Sequence, residues 1–314
     1  MEEMRESFGK QLIKLGKEYF NMYVLDADLN SSTRTVLFME NFPKRFLQLG
    51  IAEQNMVGVA AGLALEGKIP IACTFADFLT KRACDQISIS VAYPRLNVKL
   101  AGAYPGLFTG KAGATHQAIQ DLANMRAMPN MRVVAPCDNY ELSEVMKAMM
   151  EYCGPVYFRI SRQRVSQIIP GGAGFEWGKG IVLQSGNDVT LVGTGLASQW
   201  ALQAARELAK QGIGARMLHM SCLKPFDREL MLAAARETGA VVTVENHSII
   251  GGLGSATAEV LAEEYPVPVQ RIGIRDQFTE TGADDDLIKK YGLTIDDIID
   301  AAKRAISVKI SLKR

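Results

Sequence analysis

The stretch GIAEQNMVGVAAGLALEGKIPIACTF, residues 50–75, decides the fold: an apolar, small-residue helix starts near Glu53 and runs through a short polar turn into a strand without polar alternation. A strand of that kind is buried on both faces, as in a parallel sheet covered by helices. Glu53 is the one carboxylate at the head of this helix. A carboxyl group entering such surroundings loses hydration and holds its proton more tightly, so it can donate a hydrogen bond near neutral pH, as an acid catalyst does. Glutamate in the first helical turn also complements the helix dipole and satisfies backbone donors, and spacing alone leaves both roles open.

Outward from this stretch, β-rich runs alternate with helical periods. MYVLDA precedes it; a helix through Asp77 to Val91, NVKLAGA, a helix from about Gln117, MRVVAP, a helix from about Asn139 and PVYFRIS follow. This alternation predicts an α/β fold with ligands at the carboxyl ends of the strands. Periodicity lapses between about Arg164 and Asn187, where glycines and a proline mark a domain junction. A second, smaller α/β series then begins with DVTLVGTG, followed by a helix from Ala197 to Gln211. Gly193-Thr194-Gly195 and Gly251-Gly252-Leu253-Gly254 each resemble part of a dinucleotide fingerprint, but neither completes it with an acidic residue at the next strand end.

Composition narrows the function classes. Thirty-five Lys and Arg against 34 Asp and Glu leave a formal charge of +1, so no bulk field draws in nucleic acid or an anionic membrane, and any anion site is local. The five cysteines, Cys73, Cys84, Cys137, Cys153 and Cys222, are scattered without a CxxC pair, which argues against a disulfide framework and a zinc site and fits a reduced cytoplasm. The N-terminal run reads as an amphipathic helix without the apolar core of a signal peptide, and the longest apolar run, Met56 to Leu65, is too short to span a bilayer.

Several residues outside the Glu53 helix can carry chemistry. Phe75 and Phe78 sit three apart at a strand end, where aromatic rings form either core or the wall of a cleft that stacks on a flat heterocycle. His116, one of three histidines, closes a Gly/Ala-rich loop, where it either starts a helix or bonds a substrate hydroxyl. Arg159, Arg162 and Arg164 cluster where the strand PVYFRIS ends, a place from which guanidinium groups grip phosphate or simply meet solvent. Asp28, Ser31 and Ser32 follow the first strand and read equally as a loop and cap.

The runs GIAEQNMVGVAAGLALEGKIPIACTFADF, GATHQAIQDLANMRAMPNMRVVAPCDNYE, FRISRQ and VENHSIIGGLGSA, in this order, resemble the C-terminal half of transketolase in the form split into two chains. The resemblance covers nearly the whole sequence. It implies a pyrimidine-binding thiamine diphosphate domain over roughly 1–165, a linker over roughly 166–186 and a transketolase C-terminal domain over roughly 187–314. It further implies that Glu53 hydrogen-bonds the aminopyrimidine of thiamine diphosphate, starting the proton relay that activates the thiazolium carbon, while Phe75 and Phe78 stack on that ring. By the same resemblance His116 touches the ketol oxygens, Arg162 holds the sugar phosphate, and Asp28 and Ser32 lie near cofactor and phosphate.

Enzymes of this kind bind Mg²⁺ and the diphosphate through a GDG motif and a following asparagine, and no GDG occurs in the chain. The resemblance therefore implies a partner subunit that carries GDG and the Mg²⁺ ligands, in an α2β2 assembly transferring a two-carbon ketol unit from a ketose phosphate to an aldose phosphate. Three departures bear on the sugar: Ala112 stands where an aspartate senses a hydroxyl, Tyr104 where many members have a histidine, and Lys81 where an aromatic is common. Two rival readings are the β chain of a 2-oxoacid dehydrogenase, disfavoured by the GATHQ loop, and a silent scaffold that keeps the fold.

Overall fold

Six of the twelve strands belong to the first half of the chain in the computed structural model, which describes residues 2–312. They are β1 (Met22–Asp26), β2 (Phe46–Gln48), β3 (Ile69–Phe75), β4 (Lys99–Ala103), β5 (Arg132–Val134) and β6 (Val156–Ile160). The second half adds β7 (Ile181–Gln184), β8 (Val189–Gly193), β9 (Ala215–His219), β10 (Cys222–Lys224), β11 (Val241–Ser248) and β12 (Val269–Ile274). Two sheets result, ordered β10-β5-β6-β4-β3-β1-β2 and β12-β11-β8-β9-β7. Every pairing is parallel except β10 on β5 and β7 on β9.

The apolar run of β3 is buried along its length save for Phe75, as continuous Val/Ile/Ala strands in covered parallel sheets are. The helix Glu53–Leu65 lays Met56, Val57, Ala60 and Ala61 on that sheet, the i, i+1, i+4, i+5 face of a helix. The N-terminal helix Met4–Glu18 buries Phe8, Leu12 and Leu15 with Phe38 and Phe158 on the other face. Its amphipathic reading is correct. Among the described residues no helix is long and apolar enough to cross a membrane.

Four expectations differ from the structure. The helix read through Asp77–Val91 is broken into Ala76–Arg82, Cys84–Gln86 and a π-helical turn Ile87–Ala92. The helix read from Gln117 starts at Asp121; ahead of it the side-chain amide of Gln117 reaches the carbonyls of Leu107, Gly110 and Glu280 and ties this segment to the loops around it. The stretch 166–186, read as linker, contains β7, an antiparallel edge of the second sheet. Strand β10, from the second half, completes the first sheet, so the division of the chain is crossed by a strand.

A buried polar seam fastens the two halves. His219 Nε2 lies 2.9 Å from both carboxylate oxygens of Glu141, and its Nδ1 lies 2.7 Å from Ser198 Oγ. Burial alone would push the Glu141 carboxyl up, but the facing His219 and its hydrogen bonds hold it below the ordinary glutamate range. Cys137 completes a group of three metal-competent side chains that sequence spacing does not reveal, yet the Glu141 and His219 ligand atoms already bond one another. The glycine turn at 251–254 is filled from within: Glu245 accepts from the backbone nitrogens of Leu253 at 2.7 Å and Gly254 at 2.8 Å, where an anion would otherwise sit.

Candidate active site

Glu53 begins its helix at the floor of an open cleft of about 570 Å³ and is only 4% exposed. Its Oε1 accepts a hydrogen bond from Arg82 Nη1 at 2.8 Å, a partner that the reading of residues 50–75 does not supply. The same guanidinium lies over the Phe78 ring, its Cζ 3.8 Å from the centroid. Phe78 meets His116 edge to face at 4.9 Å, and Phe75 lies 5.7 Å from Phe78 and 4.6 Å from Tyr104. The chain thus gathers Glu53, Phe75, Phe78 and His116 at one place, from a helix start, a strand end, the next helix and a loop.

This grouping passes a test of fit for a flat nitrogen heterocycle. Arg82 shows that a planar group with N–H donors can lie on Phe78 while bonding Glu53, which is the contact set an aminopyrimidine needs. Beside the aromatic pair, Asp77 is buried; desolvation raises its pKa against the opposing pull of Lys81, whose Nζ lies 2.7 Å away. Lys81, one of the departures, is therefore tied to Asp77. His116 Nδ1 lies 2.9 Å from Thr115 Oγ1, leaving the other ring nitrogen for a ligand.

Tyr104 leads from the aromatic cluster to a second, strongly polar cavity of about 450 Å³, lined by Arg5, Arg162 and Arg164 with Glu3, Gln163 and Asp284. Arg5 Nη1 donates to the Tyr104 hydroxyl at 2.5 Å, and that hydroxyl donates to the Ser32 carbonyl at 3.1 Å. Tyr104 holds a left-handed φ of 58°, a strain of the kind that accumulates at functional positions. Arg162 lines this cavity, and the backbone carbonyl of Ser32 accepts from the hydroxyl of Tyr104, another lining residue. Asp28 is exposed beyond β1 with φ 62°; the residue that organises this loop is the buried Asp26, which accepts from Thr33, Thr35 and the Leu29 nitrogen.

Arg159, read with Arg162 and Arg164 as one cluster, is a correction. It is buried, and its Nε and Nη2 donate to Asp121 at 2.7 and 2.5 Å, with Nη1 on the Asn246 carbonyl. Because residues alternate across a strand, Arg159 turns inward to the helix Asp121–Ala127, while Arg162 lies past the strand end. Three residues at the site escaped sequence reasoning: Arg5, Arg82 and Asp284. Each lies on a helix in a chain full of charged helix faces, Asp284 within a run of three aspartates, so no local signal sets them apart.

The family model of the transketolase pyrimidine binding domain matches residues 2–167, and that of the transketolase C-terminal domain matches residues 178–298. The chain is therefore a two-domain α/β polypeptide that belongs to the transketolase family. It is 44% identical over 299 residues to the 6-deoxy-6-sulfo-D-fructose transketolase subunit of Clostridium sp. (strain MSTE9), covering 95% of this chain and 93% of that protein. It is 37% identical over 300 residues to an apulose-4-phosphate transketolase subunit of Phocaeicola vulgatus, covering 95% and 96%. A solved structure described as a split gene transketolase, inactive beta4 tetramer, superposes with a TM-score of 0.92 at 49% identity over 98% of this chain and all of that one. These relatives are subunits, and this chain is of the C-terminal subunit type.

Proposed function

We propose that the chain is the C-terminal subunit of a thiamine diphosphate-dependent transketolase, moving a two-carbon ketol unit between sugars that carry an oxyanion at the far end. The observation that carries this reading is the buried Glu53 carboxylate beside Phe78, with a planar cationic N–H donor already seated between them. When bound, thiamine diphosphate supplies the electron sink for breaking and making the carbon–carbon bond. Glu53 holds or moves a proton on the aminopyrimidine face, Phe75 and Phe78 fix the plane of the ring, and His116 bonds the sugar's ketol oxygens. Arg5 and Arg162 bind the far end of the sugar. Glu53 performs its part only when Arg82 gives up its place, so binding of the coenzyme exchanges one N–H partner for another.

Mg²⁺ and the diphosphate belong to a partner subunit that carries the GDG motif in an α2β2 assembly. Ile51, Leu65, Ile89 and Tyr93 stand exposed on and beside the Glu53 helix, an apolar surface of the kind that subunits cover. The test is reconstitution: the chain copurified with the GDG-carrying partner is assayed for ketol transfer. Glu53→Gln should remove turnover while size-exclusion chromatography shows the assembly intact; full activity of that variant rejects the assignment. Oxidative decarboxylation of pyruvate by the same pair would favour the 2-oxoacid dehydrogenase reading instead.

A further inference from the structure

The loop that carries His116 is held in place from the second domain. Gly106 N donates to the Ala118 carbonyl at 2.8 Å and closes residues 107–117 into a ring, in which Gly110 and Gly113 adopt left-handed φ values of 40° and 76°. Backbone of this kind keeps one shape only where its surroundings anchor it. Two anchors come across the domain seam. Asn246, on β11, accepts from Leu107 N at 3.0 Å through its Oδ1. The Glu280 carbonyl, on the segment between β12 and the helix Asp284–Lys290, accepts from Gln117 Nε2 at 3.2 Å. Gln117 directly follows His116 and is fully buried.

Saturating buried acceptors does not account for this amide. The carbonyls of Leu107 and Gly110, 3.5 and 3.3 Å from Nε2, already accept from Gly110 N at 2.9 Å and Gly113 N at 3.1 Å. What Gln117 adds beyond the backbone is the bond to Glu280, the shortest of its three. It adds that bond at a cost, because its own Oε1 is buried with no partner among the described residues. An apolar side chain of the same length would fill the space without that unpaired acceptor, so the amide contributes position rather than stability. The loop it pins is the one that sets His116 against the Phe78 ring.

We infer that Gln117 is a positioning residue that acts through His116: by bonding the active-site loop to the Glu280 carbonyl, it fixes the imidazole over Phe78. The second domain, which lines no part of the Glu53 cleft, thereby becomes part of the geometry of ketol transfer. The inference rests on the reading above that His116 bonds the ketol oxygens, and it adds the residue that holds His116 to that task. Gln117 itself touches neither sugar nor coenzyme.

The test uses Gln117→Met, which keeps the length of the side chain and removes its donors, in the full chain and in the assembly with the partner subunit. The first readout needs no turnover. The chain has three histidines, so the imidazole carbon–proton signals in a two-dimensional NMR spectrum are few enough to assign by single substitution. The His116 signal is expected to shift or broaden, and those of the buried His219 and His247 to stay. In the assembly, kcat is expected to fall about tenfold to a hundredfold, as small misplacements of a catalytic group do. KM for the sugar and the affinity for thiamine diphosphate should stay within about threefold, because Arg162, Glu53 and the phenylalanines are untouched. On a His116→Ala background the same change should cost no more than about threefold, since a residue acting through His116 has nothing left to position. Gln117→Asn, whose amide is one carbon too short to reach Glu280, carries the same expectations if the thioether is not accommodated. An unmoved His116 signal, an unchanged kcat, equal losses with and without His116, or a matching loss of coenzyme affinity overturns the inference. Absent ketol transfer by the wild-type assembly sinks the functional reading and leaves the imidazole signals to decide the positional claim, whereas an unmoved His116 signal in an assembly that transfers ketol units sinks this inference only.

Discussion

Replacing Asp121 by asparagine would uncouple the active-site loop from the sheet, and the structure sets the size of the effect. Asp121 accepts from Arg159 Nε and Nη2 at 2.7 and 2.5 Å and from the Tyr157 hydroxyl at 2.5 Å. The side chains of this ion pair are 0% and 7% exposed, so solvent does not screen them. Burial alone would raise the pKa of Asp121, but the Arg159 charge and the hydrogen bonds prevail, and it titrates below the ordinary aspartate value of 3.8. Removing one member of such a pair leaves a buried, uncompensated guanidinium, a loss of about 3–5 kcal/mol. Urea unfolding of the full chain followed by circular dichroism would read this as a lowered midpoint at unchanged slope. The pH dependence has a definite sign. A depressed folded pKa gives stability that is present above pH 3.8 and lost as the pH falls through the lower folded value, so the variant should lack that acid loss. Pairing Asp121→Asn with Arg159→Met removes the stranded charge and should recover part of the loss. A single-variant loss below about 1 kcal/mol, or a double variant as unstable as the sum of its parts, would refute the reasoning.

Two further predictions concern groups near the same seam and the cleft. Burial pushes Glu245 up to about 7 and His247 down to about 4, so their contributions oppose one another. Glu245 favours the fold below its unfolded value of 4.5 and loses that contribution as pH rises through about 7, whereas His247 favours it above 6.5 and loses that contribution as pH falls through about 4. Each is worth on the order of 3 kcal/mol. Glu245→Gln should therefore unmask a fall in unfolding free energy of about that size between pH 6.5 and pH 4, and a flat profile in denaturant titrations would contradict it. Arg82→Ala should cost the isolated chain about 1 kcal/mol, a charged hydrogen bond discounted for a guanidinium that is half exposed. In the assembly the same change should tighten thiamine diphosphate about fivefold, since the Phe78 face is cleared; unchanged affinity by calorimetry would count against the exchange.

The strands were legible because burial on both faces leaves an apolar run that needs no context to read, as in IPIACTF and MYVLDA. Glu53, Phe75, Phe78, His116 and Arg162 were legible as a set only through family resemblance, because each residue alone fits a cap, a core or a solvated charge equally well. The fold brings the first four into one cluster and puts Arg162 in the adjoining cavity. What could not be read depends on pairings between distant positions. Arg82 meets Glu53 across 29 residues, Asp284 meets Gln163 across 121, and Arg159 turns inward because Asp121 waits there. Local periodicity carries no trace of such contacts. Gln117 shows the same limit: its side-chain amide reaches the carbonyls of Leu107, Gly110 and Glu280, partners that only the folded chain presents.

Strand β10 gives the two halves a shared fate. Cys222–Lys224 runs antiparallel along β5, so the outer edge of the larger sheet is closed by residues translated some ninety positions later. An N-terminal fragment ending before that point would emerge with the backbone amides and carbonyls of Arg132–Val134 bare, a template for sticking to its own copies. A cut between these two lobes would leave an exposed seam on both products.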